Sequence, residues 1–314
     1  MAFLVVNTIE EWASGFRDAK RAAVSVGTFD GLHVGHQKIL QSVRERARAS
    51  GQRAAAITFN PHPMRVLQPD RAPLMIQTLT QRLAGFEQIG LDAAVVLRFD
   101  RALSLVSPEE FIERILVGGI RTGAILVGAN FRFGHRGAGD VRLLAEFGKR
   151  DGFDVEILPP VEVGGQIVSS TAVRGAVVSG NVAGAIPLLG RPFSLTGEIR
   201  SGAGRGRAIL FPTLNMAPEQ ELLPKLGVYA TESAVGGKIY SSVTNVGTRP
   251  TFNGSGILVE SHLFGFSDNL AAGPMEVRFH ERIRDEQKFS GVDALRAQIA
   301  RDIEAARKYF VGSK

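Results

Sequence analysis

Apolar residues in the first half of the chain alternate between two spacings. Unbroken short runs at Ala22–Val26, Ala54–Phe59, Ala93–Phe99, Ala124–Val127 and Asp154–Ile157 read as strands. Between them Gln37–Ala49, Thr80–Ile89, Pro108–Leu116 and Val141–Asp151 carry apolar residues at helical spacing. Strand alternating with helix predicts an α/β domain with a parallel sheet covered on both faces. In such sheets ligands sit at the carboxyl ends of the strands. After Pro187 the texture changes. From Pro192 to about Phe279 short alternating runs, Ser194–Ile199, Val228–Ser233, Ile239–Val246 and Glu260–Phe264, are separated by turn signals at barrel-like intervals. The expectation is a compact antiparallel β-barrel. A final helix carries Val292, Leu295, Ile299, Ile303, Ala306 and Phe310 on one stripe, suited to core packing. The expected division is therefore residues 1–186 and 187–314.

Composition narrows the classes. The 314 residues suffice for two cores, and 44% hydrophobic with 22% charged residues is ordinary for a globular chain. There is no cysteine, which excludes disulfides, thiolate catalysis and cysteine-bound zinc and fits a cytoplasmic setting. Met1–Val6 lacks the basic and apolar regions of a signal peptide, and no apolar run reaches the roughly 20 residues that span a bilayer. The net charge of +6 is dispersed and interleaved with acids, as in Arg44-Glu45-Arg46. No lysine/arginine tract carries aromatics, so a nucleic-acid partner is not expected, and small polyanions explain the balance equally well.

The most informative block is Gly27-Thr28-Phe29-Asp30-Gly31-Leu32-His33-Val34-Gly35-His36, a glycine turn between a strand and a helix. His33 and His36 are three apart and are expected on one face of the first helical turn. A helix N-terminus offers free N–H groups to anions, and two imidazoles there stabilise phosphate oxygens that gain charge. This H-x-G-H arrangement is how nucleotidylyltransferases bind ATP; the plain alternative is a pair of surface helix histidines. No Walker A loop and no G-x-G-x-x-G fingerprint competes with it.

Other segments carry two readings each. Asn60-Pro61-His62-Pro63 is either a stiff loop exit or a rigid wall for substrate. Asn130 and Arg132 alternate with Phe131 and Phe133 after a strand, as an edge strand or a nucleotide loop. Ser169, Ser170 and Thr171 cap a helix-like stretch, and Arg174 suits a triphosphate. In the second half Gly202, Gly204 and Gly206 form either a flexible hairpin or a phosphate cradle. After them Phe211-Pro212-Thr213-Leu214-Asn215 puts Thr213 and Asn215 on one strand face, with oxygens that suit Mg2+. Glu260 lies in an alternating strand, facing solvent or facing inward as a general base.

Together these segments resemble the bacterial bifunctional riboflavin kinase/FAD synthetase family over nearly the whole chain. Further markers are Leu188–Pro192, Asn245–Phe252 and Arg284–Phe289. The resemblance implies a Rossmann-like nucleotidylyltransferase domain that joins AMP from ATP to FMN, giving FAD and pyrophosphate. It implies that the barrel phosphorylates riboflavin with Mg-ATP, giving FMN. By the same resemblance His33 and His36 stabilise the triphosphate. Gly27, Phe29, Asp30, Gly31, Asn130, Arg132, Ser170, Thr171 and Arg174 bind that ATP, and Asn60, Pro61 and His62 take the flavin. Gly202, Gly204, Gly206, Phe211 and Pro212 bind the second ATP, Thr213 and Asn215 hold its Mg2+, and Glu260 activates the ribityl hydroxyl. No tightly held cofactor beyond Mg2+ is implied. Leu210, Gly265, Ala172 and the missing Leu-Tyr-Gly of the 270s depart from the family pattern. Three of the four departures lie in the barrel, and the alternative they raise is a FAD synthetase with a weakened kinase.

Overall fold

The computed structural model describes residues 2–16, 20–200, 211–251, 254–267 and 272–312. The chain forms two compact units, Met1–Ser169 and Ser170–Lys314.

The strands of the first unit are β1 (Leu4–Val6), β2 (Ala22–Val26), β3 (Arg53–Asn60), β4 (Ala93–Arg98), β5 (Thr122–Gly128), β6 (Asp154–Leu158) and a small β7–β8 hairpin (Glu162–Val163, Gln166–Ile167). Its helices are α1 (Ile9–Gly15), α2 (Val34–Ser50), α3 (Pro63–Leu67), α4 (Leu79–Ile89), α5 (Arg101–Ser104), α6 (Pro108–Glu110) and α7 (Val141–Asp151). Six strands make one parallel sheet in the order β1-β4-β3-β2-β5-β6. The expected α/β architecture is present. The chain steps from β2 through β3 to β4, then returns to place β5 on the other side of β2. That reversal opens a crevice at the carboxyl ends of β2 and β5.

Alternation on the strands divides the core in two. Ala23, Ala54, Ala56, Ala94 and Leu126 meet Leu40 and Val43 of α2 and Phe86 of α4. Val24, Ile57, Val95 and Ile125 face the other way, against Ile112, Leu116 and Leu144. The helix expected at Pro108–Leu116 runs on to Gly119, and its last stretch is π-wound, with Ile120 N–H bonding to the Ile115 carbonyl. α4 starts on a full capping box: Thr78 and Gln81 each accept the other's backbone N–H.

The second unit opens with α8 (Ser170–Ser179) and α9 (Val182–Leu189), so that Pro187 lies inside a helix. β9 (Phe193–Arg200), β10 (Leu214–Pro218), β11 (Gly227–Val235), β12 (Lys238–Thr251), β13 (Gly254–Leu263) and β14 (Pro274–Asp285) follow. They close into an antiparallel barrel in the order β10-β13-β12-β11-β14-β9, β9 pairing again with β10. The last strand outruns the expected end at Phe279. Phe193, Leu195, Met216, Tyr229, Val246, Val259, Val277 and Phe279 are all buried. So is a continuous chain of hydroxyls, Ser233–Ser242–Thr231–Thr244–Ser261, linked at 2.9, 2.8, 2.6 and 2.8 Å. Each hydroxyl is fully buried and each is partnered, so this polar seam carries no desolvation penalty of the unsatisfied kind.

The terminal helix α10 (Val292–Gly312) lays Ile303 and Ala306 on the outer wall of the barrel, against Val228, Ala230 and Val243. The expected core role of its stripe holds for Ile299, Ile303, Ala306 and Phe310. Arg284 of β14 anchors it through a forked ion pair to Asp302, at 2.7, 2.9 and 3.1 Å, with Asp302 buried.

Candidate functional sites

The first site is the turn between β2 and α2. α2 starts at Val34, three residues earlier than its apolar spacing indicates, so His33 is the N-cap and His36 the third helical residue. His33 Nδ1 accepts the His36 backbone N–H at 3.3 Å. In the neutral ring that places the proton on Nε2, as a donor. The two rings stack, centroids 3.6 Å apart and planes 17° apart. His33 is buried. His36 is half-buried, and its Nδ1 is buried without a partner. Burial, then the neighbouring His33, then Arg82 hold the His36 imidazole well below 6.5, so it is neutral at physiological pH.

The turn that presents these rings is strained. Phe29 and Leu32 adopt left-handed φ values of 49° and 42°, and Gly31 sits at 80°. Non-glycine residues persist there only when their surroundings fix them. Phe29 is buried with its ring edge-on to His36 at 5.4 Å and to Phe86 at 5.5 Å. A Cβ on Gly31 would stand 2.8 Å from Ile76 Cδ1. Asp30 is buried, and its carboxylate accepts the backbone N–H groups of Ile76 at 3.1 Å and Gln77 at 3.2 Å. That contact ties the β2–α2 turn to the entry of α4.

The neighbouring strand ends of the first unit bring Asn60–His62 and Asn130–Arg132 to the same edge of the sheet. Asn60 closes β3, the Asn60–Pro61 bond is cis, and His62 caps α3 by accepting the Met64 N–H at 3.2 Å. Asn130 and Arg132 are exposed in the turn after β5, with Arg132 paired to Asp140 at 3.5 Å. Phe131 and Phe133 turn inward and stack on each other, centroids 5.5 Å apart. Ser170 and Thr171 open α8 in the second unit, with Arg174 one turn on.

One important residue was not read from the sequence. Arg82 of α4 is 3% exposed, and its guanidinium donates to the Thr28 carbonyl, to Thr58 Oγ1 and to the Phe59 carbonyl. Nothing in a helical arginine between Gln81 and Leu83 signals burial.

The second site lies on the barrel's outer wall. Register places Asn215 of β10 opposite Glu260 of β13, and Glu260 opposite Asn245 of β12. The three side chains therefore share one face in adjacent strands. Their chain neighbours Met216, Val259, Ser261 and Thr244 point into the barrel and are fully buried. Glu260 thus takes neither expected position: it is half-buried on the outer wall, at the level where α10 covers Val228 and Val243. Asn215 is 8% exposed, and its Oδ1 has no partner among the described residues. A buried, unpaired amide oxygen suits a hard cation. His262 holds the incoming segment: its Nδ1 lies 2.9 Å from the Pro212 carbonyl and its ring meets Phe211 edge-on at 5.9 Å. Thr213 is half-buried beside Asn215. Gly202, Gly204, Gly206 and Leu210 lie outside the described residues. Gly265 is exposed in the turn after β13 at φ 73°, a left-handed position where aspartate is also tolerated, and that departure leaves the row untouched. Asn245 was legible only as part of a marker segment; its role in the row needs the register.

Comparison with known proteins also divides the chain in two. A family model of FAD synthetase matches residues 16–172, and one of riboflavin kinase matches residues 189–310. The chain is 37% identical to a bifunctional riboflavin kinase/FMN adenylyltransferase of Escherichia coli K12, across 91% of this chain and 92% of the relative. Its counterpart in Haemophilus influenzae is 35% identical, across 94% and 98%, and that in Bacillus subtilis 32%, across 92% and 93%. A solved structure described as a macrolide-efflux protein from Streptococcus pneumoniae superposes with a TM-score of 0.87 at 28% identity, covering 98% of this chain and 99% of that one. Among the described residues no helix is long and apolar enough to cross a membrane.

Proposed function

Because the chain belongs to the bifunctional riboflavin kinase/FMN adenylyltransferase family and carries both enzymatic domains, we propose a division of labour between its two sites. Residues 1–186 transfer AMP from ATP to FMN, and residues 187–314 phosphorylate riboflavin.

In the barrel, Glu260 takes the proton of the ribityl hydroxyl as its oxygen attacks the γ-phosphorus of ATP, and ADP leaves. Asn215 and Thr213 hold the Mg2+ that accompanies ATP; when bound, it supplies charge neutralisation at the phosphates. The unpartnered Asn215 Oδ1 supports that role. Asn245, on the far side of Glu260 in the row, orients the carboxylate or the hydroxyl it serves. The row Asn245–Glu260–Asn215 is the observation that carries the kinase reading.

In the first unit the phosphate oxygen of FMN attacks the α-phosphorus of ATP, and pyrophosphate leaves. His33 and His36 stabilise the charge that grows on the phosphate oxygens, His36 as a neutral imidazole. Phosphoryl and nucleotidyl transfer depend on positioning and charge, so an imidazole pair fixed by stacking is an effective device. Gly27, Phe29, Asp30 and Gly31 shape the turn that presents it, and Asn130 and Arg132 extend the site from β5. Asn60, Pro61 and His62 form the flavin side. Ser170, Thr171 and Arg174 are assigned to ATP by their match to the family's segment. The setting is cytoplasmic, and the partners are small molecules rather than nucleic acid.

Purified protein is incubated with Mg-ATP and riboflavin, then separately with Mg-ATP and FMN, and the flavins are resolved by chromatography. FMN from riboflavin and FAD from FMN support both halves. FAD from FMN with riboflavin untouched restricts the activity to the synthetase.

A further inference from the structure

Arg82 is a buried cation that the proposed chemistry does not use. Its partners are unusual. Thr28 belongs to the nucleotide turn after β2, and Phe59 is the residue before Asn60, where the flavin-side turn leaves β3. One guanidinium donates to both main chains, and Thr58 Oγ1, at 3.3 Å from the Thr28 carbonyl, completes the tie. Asp30, whose charge favours the Arg82 cation, fixes the entry of the helix that carries Arg82. The two substrate-bearing turns are thus linked through a single side chain whose Nε is buried and unpartnered.

We infer that Arg82 is a positioning residue for adenylyl transfer, locking the nucleotide turn and the flavin-side turn into one relative register. A surface-type structural arginine would be spread over water and a carboxylate. This one has given up water to bind main-chain carbonyls at the ends of two adjacent strands, the atoms whose spacing sets the distance between two bound substrates. Only arginine offers a planar fork that reaches several acceptors at once; a lysine supplies the charge without the geometry. The same charge also bears on chemistry. The titratable or charged groups around His36 are His33 and Asp30 on its own turn and Arg82 from α4. Arg82 helps to keep His36 neutral, and its removal lets that imidazole take a proton at higher pH.

The inference rests on the adenylyltransferase reading of the first unit, and the test separates the two. FAD formation from FMN is measured against pH for wild type, Arg82→Lys, Arg82→Met and His36→Ala, with riboflavin phosphorylation by the same full-length chains as the control for intact protein. For Arg82→Lys the KM for ATP and the KM for FMN both rise, kcat/KM falls by about tenfold or more, and the acid limb of the profile stays in place. For Arg82→Met the losses are larger and the acid limb moves to higher pH. Wild-type KM values in Arg82→Lys overturn the inference, as does a loss confined to thermal stability. Should Arg82→Met not fold, Arg82→Lys alone decides. If His36→Ala makes FAD at the wild-type rate, the reading of the site itself fails, whatever Arg82 does.

Discussion

His33 and His36 share one stacked pair of rings, 3.6 Å between centroids, in which the first ring accepts the backbone N–H of the second. Burial, His33 and Arg82 all disfavour a proton on His36. Protonating His36 must therefore work against the fold. Its native pKa is depressed below 6.5, so the unfolded chain binds the extra proton first as pH falls. Stability is fully present above the unfolded value and declines below it, by up to about 1.4 kcal/mol per pH unit for one proton. Melting of the first unit, followed from about pH 7 to about pH 5, is expected to fall more steeply in wild type than in His36→Gln. Parallel curves would show that His36 does not titrate against the fold.

Glu260 and its flanking asparagines make separable predictions. Glu260→Gln keeps the shape and removes the proposed base, and riboflavin phosphorylation is expected to drop by about a hundredfold or more. FAD formation from supplied FMN remains at the wild-type level. Asn215→Ala raises the Mg2+ and ATP needed for half-maximal phosphorylation. Chromatographic rate measurements on each half-reaction check all three. A Glu260→Gln variant with wild-type kinase turnover would remove Glu260 from the mechanism.

The buried hydroxyl seam faces the barrel interior, opposite to the outer row. Thr231 sits at its centre, bonded to Ser242 and Thr244. Thr231→Val conserves volume and removes one bond from each partner, while Ser242 keeps Ser233 and the Thr231 carbonyl and Thr244 keeps Ser261, at a cost of about 0.5–1.5 kcal/mol per bond lost. Urea denaturation monitored by loss of kinase activity is expected to shift to lower urea, with FAD formation unaffected before the transition. An unchanged midpoint would mean that the neighbouring hydroxyls re-pair among themselves.

Arg284 and Asp302 hold α10 against the wall that carries the kinase row. Arg284→Met leaves the Asp302 carboxylate buried with Gln298 as its remaining side-chain partner at 2.8 Å. Breaking a buried pair from one side costs about 3–5 kcal/mol. Replacing both members, Arg284→Met with Asp302→Leu, is expected to recover much of that loss, which thermal melts of the three variants measure.

The legible and illegible parts of this molecule differ for physical reasons. The alternation of apolar runs and helical stripes is enough to read the α/β unit, because a strand buried on both faces leaves no room for polar residues. The Gly27–His36 turn is equally plain, since glycines and histidines at a strand end have few structural uses. His33 as a cap is harder to see: the spacing to His36 is three whether His33 lies in the helix or just before it. The face of Glu260 is hidden for a different reason. In Leu258-Val259-Glu260-Ser261-His262 both parities carry polar residues, since the barrel interior accommodates Ser261 through its hydroxyl partners. Arg82 is hidden because burial of a charge depends on carbonyls from two other strands, which no local pattern encodes. α8 and α9 carry mixed apolar faces, and Pro187 lies inside α9, so no local pattern announces the helix pair.

The Asn245–Glu260–Asn215 row is held by strand register in a closed barrel, and this constrains how such a chain evolves. Exchanging side chains along the row changes chemistry by degrees. Inserting or deleting one residue within β13 does something abrupt: it rotates every later position by one parity, carrying Ser261 out and Glu260 into the dry interior. Length variation is therefore expected to accumulate in the connections between strands, where it is silent, and to be purged from the strands themselves. The kinase half of the molecule is tolerant of spelling changes and intolerant of frame, a property that follows from closure of the sheet and from nothing in the reaction it serves.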